Sequence, residues 1–270
     1  MTVDVREGSE FQEYDGFTVE YRDASHRYWI HQDGERKPVP SVTSVLKVLD
    51  KPALLEWAQR TSMEGALILE RLGELAGVAP KDAWQVVRAR GMDSEAKRDK
   101  RATSGTAIHA ALERYVTDGE IPDLLDYGEE DRGYVQALAK FLISGRPEVA
   151  SSERIVAHPT FGYAGRIDFT GTVDLTNLIP DPFVAGRWSS LVDLKTNRLG
   201  KVYPEAHVQT AGYRLCLYHC GSSPPPWTLI VGLGGNGEFT VVPCKAQGSD
   251  FLAVLDCYKA MQRLKAACRK

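Results

Sequence analysis

"FGYAGRIDFTG" (residues 161–171) and "SSLVDLKTNR" (residues 189–198) decide the reading of this 270-residue chain. Each is a short run of aliphatic, β-branched or aromatic residues bounded by Gly, Ser, Thr or Asn, which is how a strand is written. Yet the first closes its apolar run on Asp168, and the second sets Asp193 and Lys195 inside its own. A period of two puts Leu191, Asp193 and Lys195 on one face of the strand and leaves Val192 and Leu194 to pack on the other. Ionised groups in such a setting are costly unless they are paired or hold an ion.

Working outward, "ERIVAHPTFGYAGRIDFTGTVDL" (153–175) reads as two short strands joined at residues 159–165, with "SSLVDLKTN" as a third. A helix follows in "AHVQTAGYRLCLYHC" (206–220), where Gln209 and Tyr213 fall one turn apart on one face. "PPPWTLIVGLGGNGEFTVVPC" (224–244) is a hairpin turning at residues 234–237, and residues 249–268 form an amphipathic last helix. Toward the N-terminus, "GFTVEYRD" and "HRYWIHQDG" alternate as a hairpin closed at Ala24-Ser25. Ser41 or Thr43 can cap one helix and Pro52 can open another. Helical periodicity then runs from about residue 43 to 143, and within it a helix over 104–116 carries His109. The expected class is α/β, a mixed central sheet flanked by helices, preceded by an N-terminal β-hairpin and a helical lobe.

Composition sets the outer limits. The chain is 43% apolar and 26% charged, as soluble domains are, and no apolar run is long enough to cross a bilayer. The acidic opening "MTVDVREGSEFQEYDG" is no signal peptide, so a cytoplasmic location is expected. Five cysteines, all from Cys216 onward, are an odd number without cluster spacing and are expected to be reduced thiols. A net charge of −3 argues against indiscriminate polyanion binding and leaves room for a local basic groove. The richest basic stretch, residues 81–103, has seven Lys or Arg against four Asp or Glu; by itself it is a solvated helix face.

Two carboxylates from adjacent strands suit a hard divalent cation, which takes a few carboxylates and keeps several waters. A lysine further along the same face can orient a water or stabilise charge on a phosphorane-like transition state. Phosphodiester hydrolysis needs that combination. Taken singly, each part has a plainer explanation: a surface Asp-Lys ladder, a structural His109, an ordinary amphipathic Gln209–Tyr213 pair.

The ordered set is more specific. "GTAIH" (105–109), "GRID" (165–168), "DLK" (193–195) and "QTAGY" (209–213) follow the order GxxxH, GxxD, DxK, QxxxY. In this the chain resembles the RecB-like branch of the PD-(D/E)XK nucleases, and its "PSVTSVLKVLDKPALLEWA" is similar to that of phage-encoded members; the resemblance covers roughly residues 38–218. It implies a restriction-endonuclease-like core over 104–270 behind an N-terminal hairpin and helical lobe over 1–103.

The resemblance further implies a metal-dependent DNA exonuclease of a phage recombination or replication system. Mg²⁺ or Mn²⁺ would be held by His109, Asp168, Asp193 and the Leu194 carbonyl, and Lys195 would act on the attacking water. Gln209 and Tyr213 would line the site from the following helix. Glu153 corresponds to the family's extra acidic residue, although by its strand context alone an exposed Glu is as reasonable. Lys97, Arg98 and Arg101, just before the His109 helix, would form a phosphate-contacting wall, while Trp57 and Trp84 are expected in the core rather than against a DNA end.

Many relatives bind an iron-sulfur cluster through one upstream and three late cysteines. This chain has none before Cys216, and no iron-sulfur cluster is expected. It also lacks a P-loop, so translocation would fall to a partner helicase or recombinase, with a single-strand-binding protein as another partner and a ring-shaped homo-oligomer compatible with the reading. The rival readings are a structure-specific endonuclease on the same fold and a catalytically silent DNA-binding protein. The intact set of His109, Asp168, Asp193 and Lys195 weighs against the silent protein, which has no physical need to gather these charges.

Overall fold

The computed structural model describes residues 8–269, and for Ala53 and residues 98–104 the backbone alone. The chain forms two compact units, one of residues 1–49 with 109–270 and one of residues 50–108.

The first unit is α/β. Its N-terminal part is a four-stranded antiparallel sheet in sequence order: β1 (Ser9–Tyr14), β2 (Phe17–Arg22), β3 (Arg27–Gln32) and β4 (Glu35–Val39). The β2–β3 hairpin stands where the alternation places it, but a flanking strand pairs on each side. β1 alternates exposed and half-buried residues with little apolar content, and β4 reads ERKPV, so neither carries a strand's apolar signature. Phe17, Val19, Tyr21, Tyr28 and Ile30 join the core. On the other face, Glu20 is buried beneath Arg36, which gives it paired hydrogen bonds at 2.8 Å, with His31 also at 2.8 Å.

Ser41 caps the short helix α1 (Val42–Val45), its side chain accepting the Ser44 N–H at 3.0 Å, and Pro52 opens α2 (Pro52–Arg71). In the second unit α2 packs with α3 (Pro80–Ala89). A Cβ on Gly65 would lie 2.4 Å from the Met92 carbonyl oxygen, so this close approach requires glycine. Asp93 then accepts the Ala96 N–H at 3.1 Å at the start of α4 (Ser94–Asp118). Trp84, expected in the core, is 47% exposed; α3 is a short amphipathic helix whose buried position falls to Val87.

The rest of the first unit is a five-stranded mixed sheet in the order β5 (Glu148–His158), β6 (Tyr163–Asp174), β7 (Arg187–Asn197), β8 (Trp227–Gly234), β9 (Phe239–Pro243). β7 and β8 are parallel and the other neighbours antiparallel. The parallel step needs a crossover, which α6 (Pro204–His219) supplies. α5 (Glu129–Gly145) packs on β8 and β9, while α6 and α7 (Gly248–Ala267) pack on each other. Among the described residues no helix is long and apolar enough to cross a membrane.

Candidate metal centre

The β6–β7 ladder ends at Phe169–Val192, and the next residues along each strand are Asp168 and Asp193. Beyond that point the Leu194 N–H is given to a side chain: it donates to Asp168 Oδ2 at 2.5 Å. The two strands that the sequence marks as anomalous therefore bring their carboxylates to one place, where the ladder stops.

Two further elements complete the group. His109 reaches in from α4, and Glu153 from β5. His109 Nδ1 lies 2.7 Å from Glu153 Oε1 and 3.9 Å from Asp168 Oδ1. One ligand atom from each of His109, Glu153 and Asp168 can be chosen so that all lie within 4.8 Å of one another, the spacing of groups around a single ion. Glu153 achieves this at a conformational cost. In the β5–β6 register it falls between the pairs Ser152–Phe169 and Arg154–Ile167, opposite Asp168, and its φ is +49°. A non-glycine residue in the left-handed region inside a strand persists only where its surroundings over-determine it.

Asp193 belongs to the adjoining half of the site. It is 1% exposed, and its Oδ2 lies 2.6 Å from Lys195 Nζ. The contact is a short ion pair that neutralises this buried oxygen. Its other oxygen accepts from Gln209 Nε2 at 3.3 Å. Gln209 Nε2 also donates to the Tyr213 hydroxyl at 2.9 Å, so α6 fixes this carboxylate from its buried face. The Tyr213 ring lies over Gly165, where a Cβ would meet it at 2.5 Å. The glycine of "GRID" thus makes room for the tyrosine of "QTAGY". Lys195 Nζ also lies 3.4 Å from the Leu194 carbonyl.

The charges are strongly perturbed. Burial, reinforced by Asp193, pushes the Asp168 carboxyl up to about 7, although His109, Lys195 and the Leu194 N–H oppose it. Burial raises Asp193 as well, against the pull of Lys195. Burial works to lower the Lys195 ammonium, but Asp193 and Asp168 outweigh it and hold the group above the ordinary lysine value. The hydrogen bond with Glu153 raises His109 to about 9 despite its partial burial. Protons and the lysine thus offset the carboxylate charges, a role a divalent cation would take over.

The donor set fits such a cation. One imidazole with two carboxylates is a donor set that a divalent cation such as Mg²⁺ or Mn²⁺ accepts. Asp193, paired with Lys195, adds a further carboxylate whose charge is felt at Asp168.

Of the residues marked in the sequence, the structure brings together His109, Glu153 and Asp168, with Asp193, Lys195, Gln209 and Tyr213 adjoining them. Lys97 is exposed in the second unit; the side chains of Arg98 and Arg101 lie outside the described residues. Arg166 was passed over in the sequence. Its guanidinium lies 3.8 Å from Glu153, and the available signal was a charged residue between Gly165 and Ile167 in an apolar strand.

No protein-family model matches the chain, and no curated protein matches its sequence. Among solved structures, one titled "Crystal structure of SSO0001" aligns at 13% identity over 61% of this chain and 70% of the other, with a TM-score of 0.28. A likeness that low carries no weight for fold or activity.

Proposed function

We infer that this chain is a divalent-metal-dependent nuclease that hydrolyses DNA phosphodiester bonds, acting as an exonuclease. The observation that carries the reading is the convergence of His109, Glu153 and Asp168 beside the buried Asp193–Lys195 pair, where the β6–β7 ladder ends. The motif order that resembles the RecB-like nucleases supplies the substrate class.

His109, Glu153 and Asp168 would hold the cation, with Asp193 within reach of the same charge. When bound, the cation supplies Lewis-acid polarisation of the phosphate and acidifies a water. Lys195, kept protonated by two carboxylates, serves the charge that develops on the phosphate oxygens rather than taking a proton. Gln209 and Tyr213 keep Asp193 in place from α6.

The test is degradation of end-labelled linear DNA beside covalently closed circular DNA, with Mg²⁺, Mn²⁺ or EDTA, for the wild type and Lys195→Ala. Metal-dependent loss of linear DNA alone, abolished by the substitution, is the expected result and gives the polarity. Cutting of the circle would replace the exonuclease with an endonuclease. Binding of DNA without cleavage of either form would refute a nuclease acting on DNA.

A further inference from the structure

Strand β5 holds Glu153 at a positive φ that is unfavourable for a residue with a side chain, and something must enforce it. His109 accounts for one carboxylate oxygen, Oε1. The other, Oε2, faces Arg166 Nη1 at 3.8 Å, a Coulombic contact rather than a hydrogen bond.

Arg166 is itself gripped from the N-terminal sheet. Its Nη2 lies 2.5 Å from Glu10 Oε2, and its guanidinium carbon sits 4.5 Å from the centroid of the Tyr21 ring. Glu10 and Tyr21 are cross-strand partners on β1 and β2, so one step of that ladder supplies both the charge and the aromatic face. Tyr21 is held in turn, its hydroxyl donating to Asp23 at 3.1 Å and lying 2.8 Å from His26 Nδ1. Five residues then alternate in sign from the N-terminal sheet to the ion-binding group: Glu10, Arg166, Glu153, His109 and Asp168, at successive separations of 2.5, 3.8, 2.7 and 3.9 Å.

We propose that Arg166 is a positioning residue for the candidate metal centre: clamped by Glu10 and the Tyr21 ring, its guanidinium holds the Glu153 carboxylate where it meets His109. The proposal rests on the metal-centre reading for its purpose, while the positioning itself is a property of the metal-free chain. An arginine suits the task because one planar group can stack on the ring and divide its two Nη atoms between two carboxylates; a lysine offers one point charge. The N-terminal sheet thereby becomes part of the site's support, although it lies more than 130 residues upstream of Asp193.

The experiment compares full-length wild type with Arg166→Gln, Arg166→Lys and Glu10→Gln. The first readout is the histidine side-chain ¹H–¹⁵N correlation spectrum without metal, with His109 assigned by its loss in His109→Gln. Arg166→Gln should shift the His109 signals toward those of Glu153→Gln. Arg166→Lys should restore part of the shift, and Glu10→Gln should give a smaller displacement in the same direction. A control, Arg36→Gln, removes an arginine of the same sheet that pairs with Glu20; it should lower the thermal midpoint and leave His109 unmoved. The second readout is Mn²⁺ affinity, which should fall about tenfold in Arg166→Gln. His109 signals and Mn²⁺ affinity unchanged in Arg166→Gln would overturn the proposal. If wild type and Asp168→Asn instead bind Mn²⁺ alike, the metal-centre reading fails, and the metal-free His109 spectra still decide whether Arg166 positions Glu153.

Discussion

Asp193 and Lys195 lie two residues apart on β7 with Oδ2 and Nζ separated by 2.6 Å, and the carboxylate is almost wholly out of water. The pairing fixes what the lysine can do. A lysine acts as a base only if its environment lowers its pKa toward neutrality, and here Asp193 and Asp168 raise it against the effect of burial.

The expected consequence is that charge at position 195 matters more than basicity. Lys195→Ala should lower kcat by about 10²–10³-fold, the cost of losing a group aimed at developing charge. Lys195→Arg, which keeps the charge and cannot accept a proton, should recover most of that loss. Steady-state rates on linear DNA between pH 6 and 9 provide the check; an arginine variant as inactive as the alanine variant would restore the lysine as a base.

Metal binding should be coupled to proton release. Glu153 raises His109 to about 9, and burial, reinforced by Asp193, raises the Asp168 carboxyl well above the ordinary carboxylate range. A cation must displace whichever protons are present, so affinity rises with pH. Below about 9 the His109 proton competes and the Mn²⁺ association constant should rise up to about tenfold per pH unit, with a steeper dependence at the lower pH where the raised Asp168 carboxyl also carries a proton. Calorimetric titration with Mn²⁺ in buffers of different ionisation enthalpy measures the protons released. A pH-independent affinity would show that His109 and Asp168 are not ligands.

The sequence made the centre of the fold legible and its margins much less so. β6 and β7 are apolar runs interrupted by charges, and an interruption of that kind has few physical explanations, so Asp168, Asp193 and Lys195 stood out at once. α6 was readable because Gln209 and Tyr213 recur at helical spacing. β1 and β4 were not, because each is stabilised by one hydrogen-bonded neighbour rather than by apolar side chains of its own. Arg166 was hidden for another reason, and Glu153 was marked only by the motif resemblance, not by its own strand context. Their importance comes from cross-strand placement and from a positive φ, and neither leaves a trace in local periodicity.

The Glu20 cluster offers a test of the N-terminal sheet apart from the site. Hydrogen bonds from Arg36, with help from His31, outweigh burial and hold Glu20 at about 2, below its ordinary 4.5. A depressed carboxylate adds stability that is fully present above the unfolded-state value and is lost as pH falls through the folded one. This contribution should therefore be intact above about 4.5 and vanish toward about 2. Glu20→Gln should cost about 2 kcal/mol near pH 7, as loss of hydrogen bonds between charged groups does, and much less at pH 2. Denaturant titrations at the two pH values give the comparison, and an equal penalty at both would remove the ionised carboxylate as the cause.

Gly165 links two motifs through one contact, and the smallest substitution tests it. A methyl group at position 165 would lie 2.5 Å from Tyr213 Cε1, closer than carbon atoms can sit, and a tight 3.2 Å from Val42 Cγ2. Tyr213 is buried and its hydroxyl accepts from Gln209, so the ring cannot retreat without disturbing the amide that also donates to Asp193. Gly165→Ala should thus destabilise the chain by about 1–3 kcal/mol, the usual cost of overpacking a core, and lower activity further than the stability loss explains. Gly212 makes the matched control: its Cβ would meet the Phe251 ring at 2.7 Å, an overpacking between α6 and α7 with no carboxylate behind it. Gly212→Ala should lose comparable stability, and at a temperature where both variants are folded it should keep the activity that Gly165→Ala has lost. Equal activities in the two variants would mean that Tyr213 serves the core alone and does not hold Asp193 for the reaction.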